Sequence, residues 1–154
     1  MSERRTLLIV FHSQSGNTAR LADAVVAGAS EVDAIDVRCL RAFDAGVEDL
    51  AGCDALLLGT PENFGYMSGA LKDFFDRTYY PLENKLNGLP YAVFVSAGND
   101  GTNAVREIGR IANGYGWREI SPAFISRGTP TEDDLDTCRQ LGQAMAEGLA
   151  LGIF

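Results

Sequence analysis

The stretch Leu7-Leu8-Ile9-Val10-Phe11-His12-Ser13-Gln14-Ser15-Gly16-Asn17-Thr18 decides how the rest of the chain is read, because an unbroken apolar run empties there into a hydroxyl- and glycine-rich turn. Apolar residues without alternation predict a strand covered on both faces. Beyond the turn, Leu21, Ala24, Val25 and Gly28 recur at i, i+3, i+4 and i+7, which predicts a helix from Gly16 to about Gly28 with Ser15 as its N-cap. The turn therefore lies at a helix N-terminus, where unpaired N–H groups and roughly half a positive charge attract an anion. Ser13, Ser15 and Thr18 add hydroxyl donors, and Gly16 allows close backbone approach. No Lys or Arg falls between Phe11 and Ala19. A triphosphate loop would place Lys-Ser/Thr after its second glycine to handle the charge and its metal. This turn suits a single phosphate without a counter-ion; the bland alternative is an ordinary strand–helix turn with a good cap.

Working outward, Ala34 to Leu40 alternates Ile35, Val37 and Cys39 with Asp36 and Arg38, as an edge strand would. Phe43 to Cys53 reads as a loop holding a short helix around Val47 to Ala51. Ala55 to Gly59 and Tyr91 to Ser96 are further buried strands, with Thr60 to Met67 and Ala97 to Gly101 as the loops that follow them. Ser68 is placed to cap a helix whose Leu71, Phe74, Phe75 and Thr78 share one face and whose Asp73 and Arg77 pair outside; Tyr80-Pro81 ends it. Asn103 to Asn113 is amphipathic through Val105, Ile108 and Ala112, and Gly114 and Gly116 stop it. Trp117 to Ser126 carries a last strand broken near Pro122. Thr131, followed by Glu132, Asp133 and Asp134, starts a helix whose inner face runs through Leu135, Cys138, Gly142, Met145 and Leu149. Five strand signals alternating with helices predict a three-layer α/β sheet.

The chain has 154 residues, which predicts one domain spanning 1–154. A net charge of −8, from 13 basic and 21 acidic residues, disfavours nucleic acid or an anionic membrane surface as partner. Cys39, Cys53 and Cys138 form no C-x-x-C pair, so neither a disulfide framework nor a metal site is indicated, and reduced, mostly buried thiols in a cytoplasmic protein are expected. Met1-Ser2-Glu3-Arg4-Arg5 passes straight into the first strand without a signal-peptide pattern, and no apolar run approaches the ~20 residues of a membrane span.

The run Ser13-Gln14-Ser15-Gly16-Asn17-Thr18 after a first strand resembles the phosphate loop of the flavodoxin superfamily, which binds flavin mononucleotide (FMN). The resemblance, with right-handed crossovers, implies a flavodoxin-like, doubly wound parallel sheet of five strands in the order 2-1-3-4-5. Ligands in such a sheet bind beyond the C-terminal ends of the first and third strands. The segment Gly59 to Arg77 is similar to the NAD(P)H:quinone and FMN reductases of that superfamily, with Gly-Thr-Pro, Phe-Gly, Ser-Gly, Leu-Lys, Phe and Asp-Arg in register. That likeness implies that Thr60, Pro61, Glu62, Asn63, Phe64, Gly65 and Tyr66 wrap one side of the flavin ring. From the residues alone, Phe64 and Tyr66 serve equally as hinge anchors packed on the sheet. Ser96, Ala97, Gly98, Asn99, Asp100 and Gly101 turn sharply enough to offer backbone N–H groups to the ring's carbonyl edge, and by position they resemble the family's third flavin loop. His12 and Trp117 are read as structural.

Rival chemistries find no residues. The ends of the first and third strands hold His12-Ser13 and Thr60-Pro61 rather than the acidic residues of a receiver domain, and no Cys and Arg bracket the first loop as in a small tyrosine phosphatase. With one His, no Ser-His-acid arrangement can be built and no protein residue is assigned as catalytic. The flavin would carry the chemistry. Two functions follow: an electron carrier docking a redox partner protein at the exposed ring edge, or an NAD(P)H-dependent reductase of quinones, flavin or other small acceptors, often completed by a second subunit in a homodimer. A third is an adaptor that keeps the fold without flavin.

Overall fold

The computed structural model describes residues 4–154; Met1 to Glu3, expected to lead straight into the first strand, lie outside them. The strands are β1 (Thr6–Phe11), β2 (Asp36–Arg41), β3 (Ala55–Asn63), β4 (Tyr66–Met67), β5 (Pro90–Ala97), β6 (Arg118–Glu119) and β7 (Phe124–Arg127). The helices are α1 (Asn17–Ala29), α2 (Val47–Ala51), α3 (Gly69–Thr78), α4 (Thr102–Tyr115) and α5 (Glu132–Leu151). The parallel sheet runs β2-β1-β3-β5-β6, with β7 also paired to β5. β6 and β7 are the two halves of the expected fifth strand, and the break includes Pro122, so the order is the doubly wound 2-1-3-4-5.

The continuous apolar runs are explained by helices on both faces. Leu8, Val10, Leu56, Leu58, Val93 and Val95 point to the side covered by α3 and α4. Leu7, Ile9, Leu57, Ala92 and Phe94, one residue out of phase, point to α1 and α5. On that second side the backbones of α1 and α5 nearly touch: a Cβ on Gly28 would lie 1.9 Å from the Arg139 carbonyl oxygen, and one on Gly142 would lie 2.0 Å from that of Val25. The expected helix faces are met, since Ser68 Oγ accepts from the Leu71 amide at 3.2 Å and Arg77 pairs with Asp73 at 2.7 Å. Thr131 caps α5 reciprocally with Asp134.

Two local expectations are corrected here. Thr60 to Met67 is not a loop: β3 continues to Asn63 and folds back as β4, because Thr60 and Pro61 still pair with Val95 and Ser96 while Glu62 and Asn63 pair with Met67 and Tyr66. Gly114 lies inside α4, and Gly116 alone, at φ 81°, ends it. The thiols are mostly buried as expected, Cys53 and Cys138 in the core and Cys39 exposed on the edge strand.

Candidate cofactor site

The turn between β1 and α1 is built from backbone. Gly16, at φ 102° and ψ −13°, occupies the N-cap position, and no side chain caps from there, so Ser15 is not the cap that the sequence suggests. The capping bond comes from further back: Ser13 Oγ accepts from the Ala19 amide at 3.1 Å, leaving the hydroxyl proton free to be donated. Among the described residues the amides of Ser15, Gly16, Asn17 and Thr18 have no hydrogen-bond partner. Gln14 and Ser15 are exposed, and Thr18 is buried. These orphan donors at the positive end of a 13-residue helix are what a phosphate dianion needs.

His12, just before this turn, contributes no charge. Its amide donates to the Gly59 carbonyl at 3.1 Å and its ring stands edge-on to Phe43 with centroids 6.0 Å apart. Burial, and then the nearby Arg41 guanidinium, lower its pKa, so the imidazole is neutral at pH 7.

The second wall is the β3–β4 hairpin. Its two-residue turn puts both Phe64, at φ 52°, and Gly65, at φ 74°, in the left-handed region. Asn-Gly fills such a turn without strain, whereas a bulky L-residue there costs about 1–2 kcal/mol. Phe64 is fully exposed at the tip, while Tyr66 is half-buried and packs against the core. Thr60 does not face the cleft: its hydroxyl donates to the Pro61 carbonyl at 2.8 Å and accepts from the Ser68 amide at 2.9 Å, fixing the entry to α3. Glu62 reaches across to the third loop, its carboxylate accepting from the Gly101 amide at 2.8 Å.

That third loop leaves β5 at Ala97 and enters α4 through Gly101, at φ 85°, where a Cβ would lie 2.7 Å from Ile125 Cγ2. Asn99 and Asp100 are exposed, and Arg127 Nε donates to the Asp100 carbonyl at 3.0 Å.

Between these segments lies a cleft of about 400 Å³. The first turn lines it with Gln14, Ser15 and Asn17, the hairpin with Pro61, Glu62 and Asn63, and the third loop with Ser96, Ala97 and Gly98. Ser13, Gly16, Thr18, Thr60, Phe64, Gly65, Tyr66, Asn99, Asp100 and Gly101 are not among the residues that line it, although they belong to the same three segments. Gly128, after β7, also lines the cleft, its amide donating to the Ala97 carbonyl at 2.8 Å; the sequence reading missed it, and its only signal was a glycine following the last strand. A groove of about 290 Å³ between α3 and α4 is lined mainly by apolar residues, including Phe75, Tyr79 and Ile111, and its Lys72 is tied to Asp76 at 2.6 Å, so it offers no comparable phosphate cradle. Trp117 is core, stacked on Tyr115 with centroids 4.3 Å apart.

The residues present fit FMN. Unpaired amides could receive one phosphate without a cation, and the adjoining cleft has the size of a small-molecule site, ~300–1,000 Å³, between a hairpin wall and a glycine-bearing loop. Sheet order, switch-point cleft and cradle together are those of a flavodoxin-like protein with a place for one phosphorylated small molecule.

Comparison with known proteins agrees. The model of the NADPH-dependent FMN reductase family matches residues 7–129, and the chain belongs to that family. It is 32% identical to an NAD(P)H dehydrogenase (quinone) of Archaeoglobus fulgidus, over 92% of this chain and 95% of the relative. It is 27% identical to a flavodoxin of Aquifex aeolicus, over 94% of this chain and 87% of the relative. Among solved structures, a flavodoxin from the domain Archaea superposes with a TM-score of 0.79 at 26% identity, covering 92% of this chain and 96% of that one. A WrbA-like flavodoxin from Agrobacterium tumefaciens superposes at 0.80 with 23% identity, covering 96% and 98%, which bears on fold alone. Among the described residues no helix is long and apolar enough to cross a membrane.

Proposed function

We propose that the chain is an electron carrier that holds FMN in the switch-point cleft and exchanges electrons with a redox partner protein at the ring edge. One observation carries this reading: the residues lining the cleft include no Lys or Arg and do include Glu62. That acidic, cation-free lining leaves a basic protein surface as the complementary partner at the cleft mouth. The acidic net charge of −8 suits docking to a basic partner. Likeness to the Aquifex flavodoxin along nearly the whole chain supports it.

Bound FMN supplies the electron storage. The protein's part is to bind and tune it: a phosphate held by neutral donors keeps its charge near the ring, and Glu62 adds to that field. Both disfavour an anionic reduced ring and lower the potential.

A second reading, an NAD(P)H-dependent reductase of quinones or flavin, is favoured by family membership and by the Archaeoglobus relative. Under it a homodimer would complete the nucleotide site. In both readings residues 1–154 act as one cytoplasmic domain. Mixing the FMN-loaded protein with NADPH or NADH without oxygen separates them. A carrier keeps its flavin absorbance until a ferredoxin- or flavodoxin-type reductase is added; rapid bleaching by the nucleotide alone overturns the carrier reading.

A further inference from the structure

The tip of the β3–β4 hairpin is held from outside the hairpin. Asn103 Nδ2, in the first turn of α4, donates to the Gly65 carbonyl, and Asn103 Oδ1 accepts from the Arg106 guanidinium one turn further along the same helix. The second of these bonds fixes which end of the amide faces Gly65, because the guanidinium can only donate. One residue before this helix, the Gly101 amide binds Glu62, at the base of the hairpin. Base and tip are thus tied to the start of a single helix.

Such ties matter because the turn they hold is strained. Phe64 and Gly65 are both left-handed, and Phe64 packs on nothing that would hold it there. Residues kept in sparse backbone regions persist where surrounding bonds over-determine them, and such strain gathers at functional sites.

We propose that Asn103, oriented by Arg106, is a positioning residue for the flavin. It acts through the Gly65 carbonyl, sets the height of the hairpin wall beside the ring, and so contributes to FMN affinity and potential without touching the cofactor. This rests on the FMN reading of the cleft and holds equally for a carrier or a reductase.

The test uses two substitutions of opposite structural consequence. Asn103→Asp keeps shape, retains a partner for Arg106 and places a negative charge in the first turn of α4, where it favours the helix. It also replaces the donor to Gly65 by an acceptor, which repels that carbonyl. The expected result is an apoprotein melting temperature unchanged or raised, FMN binding weakened roughly fivefold by quenching of flavin fluorescence, and faster hydrogen exchange at the Gly65 and Tyr66 amides. Asn103→Ala should weaken FMN to a similar degree and shift the midpoint potential upward, because a loosened wall admits water that stabilises the charged reduced ring. Unchanged FMN affinity and potential in both variants overturn the proposal, as does an affinity loss in Asn103→Asp that merely follows a fall in apoprotein stability. A wild-type protein that takes up no FMN overturns the FMN reading and this proposal with it.

Discussion

The two walls of the cleft are made by different means. The β1–α1 turn offers main-chain amides, arranged by one glycine at φ 102° and one serine hydroxyl, with no charged side chain between Phe11 and Ala19. The β3–β4 hairpin is held by side chains from elsewhere, Glu62 to Gly101 and Asn103 to Gly65, around a turn that strains a phenylalanine. A backbone-built cradle suits a phosphate, a group whose charge does not depend on redox state. The hairpin wall, by contrast, is adjustable, because its position depends on a few removable bonds.

The sharpest attack on this contrast is at the cradle. Gly16→Val places a β-branched residue at φ 102°, a region that disfavours it by about 2 kcal/mol, so FMN affinity should fall roughly thirtyfold. Equilibrium titration of the apoprotein checks it, and hairpin hydrogen exchange should not move. Ser13→Ala orphans the Ala19 amide and removes one phosphate donor. About 1 kcal/mol of stability should be lost, read as a melting temperature lower by roughly 2–4 °C.

The hairpin should answer in the other direction. Phe64→Asn relieves left-handed strain and exposes less apolar surface, so stability should rise by about 0.5 kcal/mol. If Phe64 also meets the partner, electron-transfer rate will drop while FMN affinity holds, which stopped-flow mixing measures. The smallest effect lies outside both walls. Burial opposes ionisation of Asp134, but hydrogen bonds from Thr131 and Ser126 outweigh it and hold the carboxyl below its usual value. A depressed folded pKa gives stability that is present above the ordinary carboxylate value of about 3.9 and is lost as pH falls through the folded one. Asp134→Asn should therefore flatten the acid limb of a melting-temperature profile below about pH 4.

Legibility in the sequence follows the same divide. Signals between near neighbours read correctly: the apolar runs of β1, β3 and β5, the caps at Ser68 and Thr131, and the helix face Leu71–Phe74–Phe75–Thr78. Of the cleft, the first turn was visible because its chemistry is carried by consecutive residues. Most of what failed depended on distant partners, Gly114 inside α4 being a local exception. The hairpin was hidden because Thr60-Pro61 and Asn63-Phe64-Gly65 carry loop composition, and pairing with Val95 and Ser96 overrode it. Ser15 is the better placed for a cap by spacing, yet the capping bond is made by Ser13, six residues before the amide it accepts from. Asn103 looked like an ordinary helix start, and Gly128 has no side chain to announce it.

The central claim, that a cation-free cradle of amides and hydroxyls grips one phosphoryl group, is tested most directly by titrating the apoprotein with FMN and with riboflavin, which shares the ring and lacks the phosphate. The account predicts that FMN binds at least a hundredfold more tightly, as two or more charge-assisted hydrogen bonds require. Equal affinity for the two would contradict it.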